Sequence, residues 1–214
     1  MEPAKLKFNE CINEINKIKI QEVIEGSISE KQILFFIEYL IQNPNIKNIL
    51  EIGFNLGSSA AAFLSARTDT IVISIDIGIH SYVKDAKKVI NTCFPNRHTL
   101  LIGDSKILMR KIELIYPNFK PDLIFIDGDH IEPTPIIDLR NALYLANKDT
   151  SIILDDCSIA NGYAGVIQAY LEVIKYKEID VSSTKVYVDG ITGWILMKKP
   201  KAKTEEVQEV IILQ

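Results

Sequence analysis

Residues 48–57 read Asn-Ile-Leu-Glu-Ile-Gly-Phe-Asn-Leu-Gly: an apolar run holding one carboxylate, followed by two glycines four positions apart. A short run of this kind suits a strand buried on both faces, and the glycines mark a turn out of it. Ser58 to Arg67, small and helical in spacing, follow directly. The same unit then recurs. Thr70 to Ile77 is a β-branched run, with a helical stretch from Ser81 to Asn91. Thr99 to Gly103 is a third strand candidate, with a helix from Ser105 to about Ile115. Pro121 to Asp127 and Ser151 to Asp155 are the fourth and fifth, trailed by helices over Pro133 to Asn147 and about Tyr163 to Tyr176. In the first of these, Ile136, Leu139, Leu143 and Ala146 share one stripe, as on a helix packed against a sheet. The alternation predicts an α/β fold: a single Rossmann-like, doubly wound sheet, mostly parallel and covered on both sides. The end departs from the repeat. Of Glu178 to Ser182, Lys185 to Val188 and Ile191 to Lys198, two read as strands joined at Asp189-Gly190, which gives an antiparallel C-terminal edge.

Upstream, Phe8, Cys11, Ile12 and Ile15 recur at helical spacing in a stretch reaching Ile24, and Gly26-Ser27 punctuates it. Ser29 can cap a second helix running to about Gln42, before Asn43-Pro44-Asn45 breaks the chain. The expected organisation is an N-terminal helical cap or lid (1–45), a ligand-binding domain (46–200) and a C-terminal tail (201–214). The chain has 214 residues, 47% hydrophobic and 24% charged, the balance of a soluble globular protein. A formal net charge of -4 offers no general grip on a phosphate backbone, which argues against nucleic acid as partner. The 3 cysteines are odd in number and form no C-x-x-C pair, against a disulfide framework or zinc cluster and in favour of a reducing compartment. Ile33 to Ile41 is too short to span a bilayer and contains Glu38, and no signal-peptide core precedes it. A cytoplasmic protein without membrane partners is the expectation.

In open α/β sheets ligands bind beyond the carboxyl ends of the strands, where strand order reverses. That rule selects Gly53 to Gly57, Asp76, Asp104, Asp127 to His130 and Asp155-Asp156. The first turn has G-x-x-x-G rather than the G-x-G-x-x-G that seats a pyrophosphate. With Glu51 just upstream, it suits a nucleoside without phosphates whose amino-acid portion carries a cationic amine; the alternative is a tight turn with no ligand. Asp76 can accept two ribose hydroxyls or cap a helix. Asp104-Ser105 can hold an adenine amino group or cap the next helix. Asp127, Asp129, Asp155 and Asp156 with His130 would repel one another if left empty. A hard divalent cation such as Mg²⁺ resolves this, and can hold a substrate hydroxyl while His130 or Asp129 removes its proton. The alternative is that these acids cap helices and face water. His80 reads as a loop residue, His98 as structural and Trp194 as core packing. The Lys198 to Lys203 run reads as a solvated tail, and Asn161-Gly162-Tyr163 as a loop on the substrate side.

In order, the runs EIGFNLGSSA, SIDIG, LLIGDS, DLIFIDGDH and ILDD resemble class I S-adenosylmethionine-dependent methyltransferases. The likeness is closest to the small-molecule and sugar O-methyltransferase branch that includes macrocin O-methyltransferase, and it runs from about Ile46 to Lys198. The resemblance implies that Glu51, Gly53 and Gly57 lie at the methionine part of the cofactor, Asp76 at its ribose, and Asp104 with Ser105 at its adenine. The full cofactor-binding set is then Glu51, Gly53, Phe54, Asn55, Gly57, Ser58, Asp76, Ile77, Gly103, Asp104, Ser105 and Asp127. It further implies a divalent cation, Mg²⁺ by expectation, on Asp127, Asp155 and Asp156, and a base at His130 or Asp129. Gly193-Trp194-Ile195 falls on the family's antiparallel edge. The chain departs from many relatives after His130, reading Ile-Glu-Pro-Thr-Pro where they carry an aromatic and a glycine, so the resemblance does not carry over the pocket shape or the substrate. The implied activity is metal-assisted methylation of a small-molecule or sugar hydroxyl. Metal-free methylation of a macromolecule, and cofactor binding without catalysis, are the alternatives. The N-terminal helices would serve as a lid, as a homodimer contact, or as both.

Overall fold

The computed structural model describes residues 1–22, 28–158, 160 and 163–200. The Gly26-Ser27 punctuation, Asn161-Gly162 and the 201–214 tail lie outside the described residues. Five strands alternate with helices as the apolar runs require: β1 (Asn48–Ile52), β2 (Ile71–Asp76), β3 (His98–Ile102), β4 (Leu123–Ile126) and β5 (Ser151–Leu154). The helices are α1 (Glu2–Ile15), α2 (Glu30–Gln42), α3 (Ser58–Ala66), α4 (Val83–Cys93), α5 (Ser105–Ile115), α6 (Thr134–Leu145) and α7 (Ala164–Lys175). Two more strands, β6 (Lys185–Asp189) and β7 (Thr192–Lys198), close the chain. The sheet has order β3-β2-β1-β4-β5-β7-β6. β1 to β5 are mutually parallel, whereas β7 runs antiparallel to β5 and to β6.

Side chains alternate between two cores. Ile49, Leu123, Phe125 and Ile153 face α1 to α4, and Leu50, Ile52, Ile124, Ile126, Ile152 and Leu154 face α5 to α7. Both cores are predominantly apolar because the strands carry apolar residues on both sides. α3 is buried at every position from Ser59 to Ala66, so it needs cover from outside the sheet. Phe36, Ile37 and Leu40 of α2 and Phe8, Cys11 and Ile15 of α1 share that core. Ser29 caps α2 as its position suggests, its Oγ accepting from Gln32 N at 3.2 Å.

Two boundaries differ from the sequence reading. The first helix ends at Ile15 and not near Ile24. Beyond it Ile18 keeps the helical spacing from Ile15 but Ile20 leaves it, and both pack on the core from non-helical backbone. Of the three C-terminal runs the latter two are the strands. Within the first, Asp180 accepts from Ser182 N at 3.0 Å and starts a 3-10 turn over Val181–Ser183. Among the described residues all 3 cysteines are free thiols, although Cys11 and Cys93, distant in sequence, come into side-chain contact. No helix among the described residues is long and apolar enough to cross a membrane.

Candidate active site

Strand order reverses between β1 and β4, so the crevice opens where their carboxyl ends meet. Gly53 sits there at φ 88°, with a position for Cβ 1.8 Å from the Asp127 carbonyl oxygen; only glycine permits that approach. Gly57, at φ 78°, begins α3 in the left-handed region. Between them Phe54 turns its ring into the core, stacked on His98 with centroids 4.9 Å apart, and leaves only its backbone to the turn. Asn55 takes a positive φ of 49°.

Beneath this turn lies Glu51, fully buried on β1. Ser59 Oγ of α3 donates to it at 2.6 Å, and Ser74 Oγ of β2 donates to its other oxygen. Ser74 lies directly across from Glu51 in the strand register, and its Oγ also lies 2.9 Å from His98 Nε2. Burial raises Glu51 to about 7, against the two serine hydrogen bonds that lower it. Burial likewise lowers His98 to about 4, with Lys87 adding to the effect. This polar set holds the glycine turn, β2 and β3 together from below.

Asp76 ends β2. Its Oδ2 accepts from Phe54 N and Asn55 N, each at 2.9 Å, and its Oδ1 from Gly78 N at 2.7 Å. Oδ1 keeps a lone pair for a further donor at the crevice. Ile77 beside it is exposed. Gly103 follows β3, and Asp104 caps α5, accepting from Lys106 N at 2.9 Å. Ser105 Oγ reaches Asp138 Oδ1 and Oδ2 at 2.8 and 2.9 Å. Asp138, on the inner face of α6, is raised to about 6 by burial; sequence reading missed it because it lies inside that helix's apolar stripe. Ser58 starts α3 at the rim.

The acids beyond β4 and β5 divide into three groups. Ligand atoms of Asp127, His130 and Asp156 all lie within 4.8 Å of one another. Asp155 turns away: its Oδ2 accepts from Gln32 Nε2 at 2.7 Å, and its Oδ1 from Asp156 N at 2.8 Å. Asp129 accepts from Ile131 N and Thr134 Oγ1, both at 3.0 Å, and so caps the start of α6. The sequence reading grouped Asp127, Asp155 and Asp156; the geometry brings His130 into the cluster and gives Asp155 a partner in α2. Burial holds the Asp127 carboxyl well above the usual range, and Asp155, Asp156 and Glu51 add to it. Burial also raises Asp155 to about 7, with Asp156 contributing. The His130 ring stacks on Tyr163 with centroids 3.9 Å apart and planes at 15°. Its Nε2 lies 2.7 Å from Asp156 Oδ2. Among the described residues this buried nitrogen makes no hydrogen bond, and its contact with Asp156 is that of an ion pair.

The two carboxylates of Asp127 and Asp156 form a donor pair that fits a hard divalent cation, and the His130 imidazole stands beside it. Carboxylate and water oxygens suit Mn²⁺ as well as the expected Mg²⁺.

A methyltransferase-domain family profile matches residues 50–157, half of the chain, from within β1 to just past β5. No curated protein matches. Among solved structures, an O-methyltransferase from Bacillus cereus in complex with S-adenosylhomocysteine aligns at TM-score 0.73 and 18% identity, over 91% of this chain and 91% of that one. The S-adenosylhomocysteine-bound methyltransferase PaMTH1 from Podospora anserina aligns at 0.71 and 14%, over 94% and 89%. The O-methyltransferase TomG of Streptomyces achromogenes, involved in tomaymycin synthesis and bound to S-adenosylmethionine, aligns at 0.69 and 16%, over 92% and 90%. At these identities the likeness is one of fold. Because the profile spans the glycine turn, Asp76 and the acids beyond β4 and β5, the chain belongs to the methyltransferase-domain family and is an S-adenosylmethionine-dependent methyltransferase.

Proposed function

We propose that the chain methylates a hydroxyl oxygen of a small molecule or sugar, with a divalent cation at Asp127 and Asp156 and with His130 as general base. The supporting observation is the convergence of Asp127, His130 and Asp156 within 4.8 Å, across the strand-order reversal from the Gly53–Gly57 turn. Likeness of fold to O-methyltransferases agrees with transfer to oxygen. The cofactor supplies a methyl already activated on a sulfonium, and a bound cation supplies positive charge that lowers the acceptor's pKa. What the chain must add is placement and a proton sink.

Asp76 receives the ribose, Asp104 and Ser105 border the adenine, and the backbone of residues 53–58 cradles the amino-acid portion. Asp127, half-buried between Gly53 and the acid cluster, faces both ligands. His130 accepts the acceptor's proton as the acceptor oxygen bonds the methyl carbon, and the electron pair of the broken S–C bond stays on sulfur. Stacking on Tyr163 holds the imidazole plane for that transfer. Asp129 supports it by fixing the loop that carries His130.

The test pairs S-adenosylhomocysteine titration with methyl transfer from labelled cofactor to a panel of small hydroxyl compounds. His130→Ala and Asp156→Ala should lower turnover by about 100-fold or more while cofactor affinity stays within about threefold. Asp76→Ala should weaken that affinity at least about tenfold by removing a charged hydrogen-bond acceptor. Loss of cofactor binding in Asp156→Ala, or transfer undiminished by a chelator, would overturn the cation's role. Transfer only to protein or RNA would replace the acceptor class.

A further inference from the structure

Helix α2 is far from the acid cluster in sequence, yet it places one side chain there. Gln32 is 1% exposed, and its amide donates to Asp155 Oδ2 at 2.7 Å across 123 residues of chain. The other oxygen of Asp155 accepts from the amide of Asp156. The Asp155 carboxylate is therefore gripped on both sides, once by another layer of the fold and once by its own loop. Asp156 carries a positive φ of 56°, a left-handed conformation that aspartate tolerates better than most side chains and that the Asp155 contact to its N–H helps to hold.

We propose that Gln32 is a positioning residue for the cation cluster: through Asp155 it fixes the loop that carries Asp156, and so aims Asp156 at Asp127 and His130. This rests on the reading that the cluster takes a divalent cation. The chemistry of the side chain fits the task. A lysine or arginine at position 32 would satisfy Asp155 and also cancel the negative charge that draws a cation. A glutamine donates an N–H and cancels none. It also gives α2 a stake in the site beyond covering the core.

Isothermal titration of Mn²⁺ into the full-length protein saturated with S-adenosylhomocysteine tests this. Gln32→Met keeps the length and removes the donor; it should weaken Mn²⁺ binding tenfold or more while S-adenosylhomocysteine affinity stays within twofold. Should that variant fail to fold, Gln32→Asn keeps a buried amide but withdraws it from Asp155, and should weaken Mn²⁺ several-fold with the same selectivity. Unchanged Mn²⁺ affinity in a folded variant overturns the proposal alone. Equal losses of Mn²⁺ and S-adenosylhomocysteine affinity also overturn it, since they mark a general packing defect. Wild-type protein that binds S-adenosylhomocysteine and no Mn²⁺ overturns both the cation reading and this one.

Discussion

Glu51 occupies an inward position of β1 where its neighbours Ile49, Leu123 and Phe125 are apolar. The run Ile-Leu-Glu-Ile shows that the acid is buried, because a strand covered on both faces leaves it no exit. Its partners are not visible there, since they depend on register: Ser74 meets it only because β1 and β2 pair Glu51 with Ser74. The arrangement has a consequence for stability. Burial raises Glu51 from an ordinary 4.5 to about 7, so the fold binds that proton more tightly than the unfolded chain does. Its contribution is complete below pH about 4.5 and is lost as pH rises through about 7. His98 runs the other way, lowered from 6.5 to about 4; its contribution is complete above pH about 6.5 and is lost as pH falls through about 4. Between those limits the two oppose. Glu51→Gln removes only the first, so the variant should gain stability relative to wild type by about 1–3 kcal/mol between pH 4.5 and 7.5. Urea unfolding at stepped pH measures the difference, and a flat difference would count against a buried, titrating Glu51.

Strands and helices of the α/β repeat follow from apolar runs and their punctuation, and the capping of α2 by Ser29 was legible for the same reason. What covers α3 was not. Its sequence, Ser-Ser-Ala-Ala-Ala-Phe-Leu-Ser-Ala, is apolar nearly all round, which says that it is enclosed without saying by what. The N-terminal helices read as a cap, and α2 forms part of the enclosure. Phe36, 1% exposed, packs against Phe63 of α3 and Phe125 of β4, with centroids 4.8 and 5.0 Å away. A detachable lid would not bury an aromatic ring between a central helix and a central strand. Phe36→Ala should therefore destabilise the whole protein by about 3–5 kcal/mol, measured by urea unfolding. A loss below about 1 kcal/mol would restore the picture of a lid that the domain can do without. The same long-range packing explains why Gln32 and Asp138 were missed: each is a polar residue on a buried helical face whose partner lies on another element.

Over the whole molecule, the parallel strands deliver their acids to one end: Asp76 after β2, Asp104 after β3, Asp127 after β4, and Asp155 and Asp156 after β5. Such an end repels phosphates and attracts cationic groups. It separates two ligands that otherwise share an adenosine. S-adenosylhomocysteine has a cationic amine and no phosphate, whereas NAD brings a pyrophosphate to a turn whose glycine spacing lacks the pattern that seats one. A ligand bound only by the folded state stabilises it by mass action, by about 2.7 kcal/mol at 100 times its dissociation constant. For a chain of this length each kcal/mol moves the melting temperature by roughly 2–4 °C. Saturating S-adenosylhomocysteine should thus raise the Tm by about 5–10 °C, and NAD at the same concentration should leave it within about 1 °C. Asp76→Ala should remove most of the S-adenosylhomocysteine shift, since it deletes the acid proposed to receive the ribose and leaves Asp127, His130 and Asp156 in place. An equal shift with NAD would mean that the acidic end tolerates phosphate, and the assignment of the crevice to a phosphate-free adenosyl ligand would fall with it.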